Sequence, residues 1–185
     1  MSQGEFMHVL QSRAQTVESD GEFTDAAASF FALGMYRFAS EMYRNTRTYR
    51  DGVGSLLRSI ELDDRAGNEQ RATRTAGFVR ERCRSIISEG TCAIVRGLGC
   101  EWLADALLMT NNADARVHYQ RASNLFSRLE FETQLHWGNR SAYETATRAL
   151  ERFFERREID YYDSHAIDFA GRIDWKLTMC ADVLE

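Results

Sequence analysis

The residues best suited to chemistry in this chain are few and scattered. It has four histidines, His8, His118, His136 and His165. None belongs to an H-E-x-x-H or E-x-x-H pair, the spacings that place two metal ligands on one helix face. Glu132 and His136 lie four apart and read as an ordinary surface pair on a helix. The densest constellation is Asp160, Asp163, His165 and Asp168. An aspartate beside a histidine can orient a general base. This cluster is therefore where the chain would work as a helical-bundle enzyme or small-ligand binder. No nucleophile is marked beside it, and the plainer reading is a helix start loaded with acids that meet the positive end of the dipole. Cys83, Cys92, Cys100 and Cys180 contain no C-x-x-C pair, so they read as small buried hydrophobes in a reducing compartment rather than as a zinc site. G-x-G-x-x-G, G-x-x-x-x-G-K-[ST] and G-x-S-x-G are all absent. Gly97-Leu98-Gly99 lacks the preceding strand of a phosphate-cradling turn and reads as a hinge between helices. No catalytic residue, metal or cofactor is expected, and non-enzymatic work is favoured.

Charge offers a second kind of chemistry. Lys176 is the only lysine, so Schiff-base catalysis and a P-loop lysine have almost nowhere to sit. The arginines cluster: Arg65, Arg71, Arg74, Arg80, Arg82 and Arg84, set against Glu69 and Glu81, give residues 65–84 a net charge of +4. Residues 160–185 carry a net charge of -4. An arginine-rich helix can bind a phosphate backbone, or the two segments can face each other or a partner as complementary patches. The whole chain is acidic, at -5, which leaves nucleic acid as a third-ranked partner. The residues chosen as a partner-contact set are Arg71, Arg74 and Arg82, with Trp137, Tyr161 and Tyr162 beside predicted loops.

The elements that must position these residues are helical. The chain has 185 residues, 44% hydrophobic and 28% charged, with no proline at all. That composition holds enough apolar residues for a core and suits uninterrupted helices. Its length predicts one helical domain over 1–185. Hydrophobic periodicity predicts helices over about 5–19, 24–34, 36–49, 69–89, 100–110, 114–132, 141–157 and 161–184. Residues 51–68 read as a break at Asp51, Gly52 and Gly54, about two helical turns, and a loop at Asp63, Asp64, Gly67 and Asn68. Thr91 to Val95 reads as a short capped segment. Ala72, Ala76, Val79, Cys83 and Ile86 form one seam spaced by fours and threes. No stretch alternates with period two, so no sheet is predicted. The opening MSQGEFMHVLQSRAQTVESD does not read as a signal peptide, and no window reaches the roughly 20 apolar residues of a membrane span. The expectation is a cytoplasmic protein away from membranes.

A pattern recurs along these helices: a small residue, an aromatic or polar residue two later, alanine three later, then a large residue four after that. Gly21, Phe23, Ala26 and Phe30 carry it, and Gly34, Tyr36, Ala39 and Tyr43 carry it again. Thr110, Asn112, Ala115, Tyr119 and Ala122 form a third copy, and Ser141, Tyr143, Ala146 and Leu150 a fourth. The pattern resembles the turn and second helix of tetratricopeptide repeats. The segment 101–126 matches most fully, because Trp102 falls where the family's first helix has an aromatic. The copies start 13, 76 and 31 residues apart rather than at a steady period, and none has the family's closing proline. The resemblance implies antiparallel helical hairpins with a groove for another protein or peptide. Trp102, Ala106, Ala115, Tyr119 and Ala122 would pack the central hairpin. The expected fold is all-α, seven to nine helices in antiparallel hairpins, either a tetratricopeptide-like array or a compact bundle. The expected function is a protein–protein interaction scaffold or adaptor, compatible with self-association.

Overall fold

Three helix ends in this proline-free chain are made by glycine or asparagine. Gly34 and Gly67 adopt φ of +72° and +70°, and Asn111 adopts +53°. In that left-handed conformation the following N–H groups can turn back onto the last carbonyls of a helix. Asn68 N donates to Asp63 O at 2.8 Å and Asn112 N to Leu107 O at 2.9 Å. The computed structural model describes residues 8, 12, 23–45, 49–90, 93–127, 137–161 and 169–184. Among the described residues there are eight helices and no strand: α1 (Phe23–Ala32), α2 (Tyr36–Asn45), α3 (Tyr49–Arg65), α4 (Glu69–Glu89), α5 (Ala93–Met109), α6 (Asp114–Phe126), α7 (Trp137–Glu155) and α8 (Phe169–Leu184). The predicted helix over 5–19 lies, but for positions 8 and 12, outside them.

Successive helices from α1 to α6 pack against their chain neighbours, α7 docks on α3, and α8 docks on α6. Connections as short as Thr110–Ala113 leave room only for antiparallel neighbours. The apolar α5 lies in the middle and also touches α3, α7 and α8. Its residues from Gly97 to Met109 are all buried, as suits a helix hydrophobic all round. The main core joins Leu57 and Ile60 of α3, Val79 and Cys83 of α4, Trp102 and Leu107 of α5, Tyr119 of α6, Phe153 of α7 and Ile173 of α8. Each large apolar side chain buried there contributes about 1.5–3 kcal/mol. A second cluster, Ala26, Ala27, Phe30, Ala39 and Met42, closes α1 on α2.

Three expectations from the sequence are corrected. Residues 51–68 are not a break and a loop: α3 runs unbroken through Gly52, Gly54, Asp63 and Asp64. Gly52 permits a close crossing, since a Cβ there would meet Ser40 Oγ of α2 at 3.1 Å. Gly97 and Gly99 are not a hinge, and α5 is continuous from Ala93. Gly97 lies under the Phe126 ring, and a Cβ at Gly99 would meet side-chain atoms of Ile86 and Ile87 at 3.0 Å. These glycines are close-packing points, where the absent side chain lets α5 approach α6 and α4. Finally, α6 ends at Phe126 rather than near 132, and α7 begins at Trp137 rather than Ser141, passing through Gly138.

Candidate functional site

Two groups of charged residues stand out, one sealed and one open. The sealed group lies where α5, α6 and α8 meet. Glu101 and Asp105 are four apart on α5, and Arg172 and Lys176 are four apart on α8, so each pair shares one helix face. Arg172 Nε and Nη2 donate to the two Glu101 carboxylate oxygens at 2.7 and 2.6 Å. Lys176 Nζ donates to Glu101 Oε1 at 2.6 Å and to Asp105 Oδ1 at 2.9 Å. Tyr119 Oη donates to Asp105 Oδ1 at 2.6 Å, and the Lys176 ammonium lies 5.7 Å from the Tyr119 ring centre. Burial alone would raise the Glu101 carboxyl, but Arg172 and Lys176 outweigh it and hold the group at about 2. Burial also raises Asp105; Lys176 pulls it down and Glu101 pushes it up, and the balance leaves it above its ordinary value. Burial opposes the charge on Lys176, but Asp105 and Glu101 win and raise it. All five side chains are buried, and each hydrogen-bonds to another member of the group. The composition suits acid–base work, but the closure makes this a clasp of α8 onto α5. The only lysine of the chain is thus buried.

The open group lies on the other side of α5. A cleft of about 430 Å³ runs between α4 and α6, with Leu103 of α5 and Ile87 of α4 as its apolar lining. Arg80, Arg84 and Ser88 of α4 line one wall, four residues apart on one helix face. Asp114, His118 and Arg121 of α6 line the other. Burial, then Arg121 and Arg80, lower the His118 imidazole against the opposing pull of Asp114. His118 Nδ1 is buried without a hydrogen-bond partner. Arg80, Arg84 and Arg121 make no hydrogen bond or ion pair among the described residues. Several other arginines are consumed internally, whereas exposed Arg65, Arg74, Arg96, Arg116 and Arg148 are not, among the described residues. Arg58, Arg152 and Arg156 surround the buried Glu61 carboxylate, and Arg156 and Arg157 reach Asp64, tying α3 to the end of α7.

The partner-contact set chosen from sequence is dispersed. Arg82 is only 4% exposed and pairs with Glu41 of α2 at 2.5 Å, so it serves packing rather than a partner. Arg71 is exposed, with Nε 3.5 Å from Asp63 Oδ1, and Arg74 is exposed. Tyr161 is no exposed patch: it packs edge-on against Trp175 at 5.3 Å and against Phe154 at 6.0 Å. Trp137 opens α7, its side chain outside the description, and Tyr162 lies outside the described residues. Of the acidic cluster, Asp163, His165 and Asp168 also lie outside them. Asp160 is exposed and lines a hollow of about 460 Å³ with Glu151, Glu155 and Glu158. Among the described residues no group of three His, Cys, Asp or Glu side chains could hold a metal ion. Among the described residues, the α4 arginines that pair across helices do so with α2 and α3. Trp102, Ala106, Ala115, Tyr119 and Ala122 are all buried within α5 and α6. Sequence reasoning named Arg80, Arg84 and His118 only among their kinds and passed over Arg121; their common signal, spacing on two helices flanking α5, needs the fold. Comparison of the chain with family models, with curated proteins and with solved structures returns no match.

Proposed function

We propose that the protein is an interaction module, a helical scaffold that holds a partner protein in the cleft between α4 and α6. What carries this reading is that Arg80, Arg84 and Arg121 line one hollow and have no ion pair or hydrogen bond among the described residues. Arg156 and Arg172, by contrast, are spent on the buried carboxylates Glu61 and Glu101, and the other unpaired arginines do not line this hollow. Unpaired charge of one sign around a hollow steers a partner of opposite sign and fixes its register. The neighbouring apolar side chains Leu103 and Ile87 give such a partner something to bury. The rigid support is the α5–α6 hairpin, whose alanines allow close backbone approach.

The test compares three forms of the full chain as bait in extracts of the source organism, read by quantitative mass spectrometry. Proteins held by the wild type should be lost by the Arg80→Gln/Arg84→Gln/Arg121→Gln variant and kept by Arg74→Gln. If no protein's recovery depends on those three arginines, the module does not work through this cleft.

A further inference from the structure

The charge count of the cleft points to the chemistry of its occupant; the inference rests on the interaction reading and deepens it. Arg80, Arg84 and Arg121 bring three positive charges and Asp114 one negative charge. Burial, Arg121 and Arg80 all disfavour a further positive charge on the His118 imidazole. The lining therefore has two positive charges in excess. A single carboxylate would leave one unanswered. A phosphate monoester carries about -1.5 to -2 at pH 7 and would balance them.

The placement of the donors on the fold points the same way. Arg80, Arg84 and Ser88 belong to α4 and Arg121 to α6, the two helices that flank the hollow. A carboxylate accepts from one fork in one plane, whereas the three terminal oxygens of a phosphate accept from several directions. The apolar lining of Leu103 and Ile87 suits uncharged neighbours on the ligand. The trough lies between two helices that both run antiparallel to α5, so an extended chain can lie along it. We propose that the cleft binds a phosphorylated side chain on a partner peptide, a phosphate monoester flanked by apolar residues.

The test uses the full chain and three probes. First, inorganic phosphate and free phosphoserine are titrated against the protein while the His118 ring signals are followed by NMR. A dianion beside the imidazole favours its protonated form, so the His118 pKa should rise when phosphate binds. Arg121→Gln, at an exposed position, should abolish that rise while leaving the helical circular dichroism unchanged. Second, a degenerate peptide library with a fixed central phosphoserine is compared with the same library carrying Ser or Glu there. Phosphopeptides with apolar flanks should bind about tenfold or more tighter than their Glu counterparts, and inorganic phosphate should displace them. Third, a single-stranded RNA oligomer offers phosphodiesters instead.

Equal binding of Glu and phosphoserine peptides would overturn the phosphate assignment. It would leave the interaction reading intact if capture still depends on the three arginines. Saturation by free phosphoserine with no gain from any peptide flank would overturn the peptide and assign a small phosphorylated metabolite. RNA binding as tightly as the best phosphopeptide would overturn it in favour of nucleic acid. If no probe binds and arginine-dependent capture also fails, both readings fall.

Discussion

Lys176 Nζ lies 2.6 Å from Glu101 Oε1 inside the protein, with both side chains at most 3% exposed. The only lysine of the chain is thus placed where an ammonium, rather than a guanidinium, fits beneath a tyrosine ring and between two carboxylates. A buried charge pair costs desolvation on both sides, and it holds only because every head group finds partners. Its consequence is register: a shift of α8 by one residue against α5 would leave four charges buried and unpaired.

Removing one member should therefore cost far more than a surface ion pair would. Lys176→Met keeps the length of the side chain and leaves the Asp105 carboxylate with Tyr119 as its remaining partner. We expect a loss of about 3–5 kcal/mol in urea unfolding. Arg71→Met removes a pair whose arginine is exposed and whose buried Asp63 keeps Arg37 as a neighbour at 3.9 Å, and should cost no more than about 1 kcal/mol. Similar values for the two variants would show that the clasp carries no special weight.

The same cluster sets a pH dependence. Glu101 is held at about 2 in the folded state, below its ordinary 4.5. A depressed carboxyl contributes stability that is present above its unfolded value and lost as pH falls through the folded one. The window is thus from about pH 5 down to pH 2. Asp105, raised above its ordinary 3.8, acts with the opposite sign: it protonates first in the folded state and stabilises slightly as pH falls towards 3.8. Lys176, raised from 10.5, contributes fully below that value and loses its share only above it. Unfolding free energies measured from pH 7 to pH 2 should fall less steeply below pH 4.5 for Glu101→Gln than for the wild type. Parallel profiles would remove Glu101 from the account.

Cys83, Cys100 and Cys180 are free and buried. Burial raises each thiol above its ordinary value, Cys180 to about 11 with further help from Asp105. The thiolate is the reactive form. In a Cys92→Ser background, disulfide reagents at pH 7.5 should find no fast-reacting thiol in the native protein and three after unfolding. A rapid native reaction would mean that the α4–α5 or α6–α8 packing opens far more often than the core suggests.

The long amphipathic helices were legible because their seams are local. The Ala72–Ile86 seam fixes α4 from Glu69 to Glu89 in sequence and structure alike. Glycines misled where their role is tertiary: Gly52 and Gly97 read as breaks, but each is a contact surface whose partner, Ser40 or Phe126, lies on another helix. The clasp was visible as two pairs at four-residue spacing, Glu101 with Asp105 and Arg172 with Lys176. Nothing local says that segments 71 residues apart join. The arginine cluster on α4 was visible too. Which of its members face a cleft depends on Arg121 and His118 of α6, whereas Arg82 is buried against Glu41.

Two glycine-to-alanine changes separate these roles. Gly77 lies in the interior of α4, exposed, with no atom within 4 Å of where a Cβ would be. Alanine there loses less backbone entropy on folding, so Gly77→Ala should stabilise by about 0.5–1 kcal/mol. Gly97→Ala gains the same helix propensity, but its Cβ would enter the Phe126 ring. That ring is stacked on Phe169 of α8 at 4.8 Å, so relieving the clash means moving two aromatic side chains. Overpacking of this kind costs about 1–3 kcal/mol, which leaves Gly97→Ala destabilised on balance. Urea midpoints should therefore move in opposite directions for the two variants. A Gly97→Ala protein as stable as Gly77→Ala would show that Phe126 yields freely, and that the close approach of α5 to α6 is set by something other than the missing side chain.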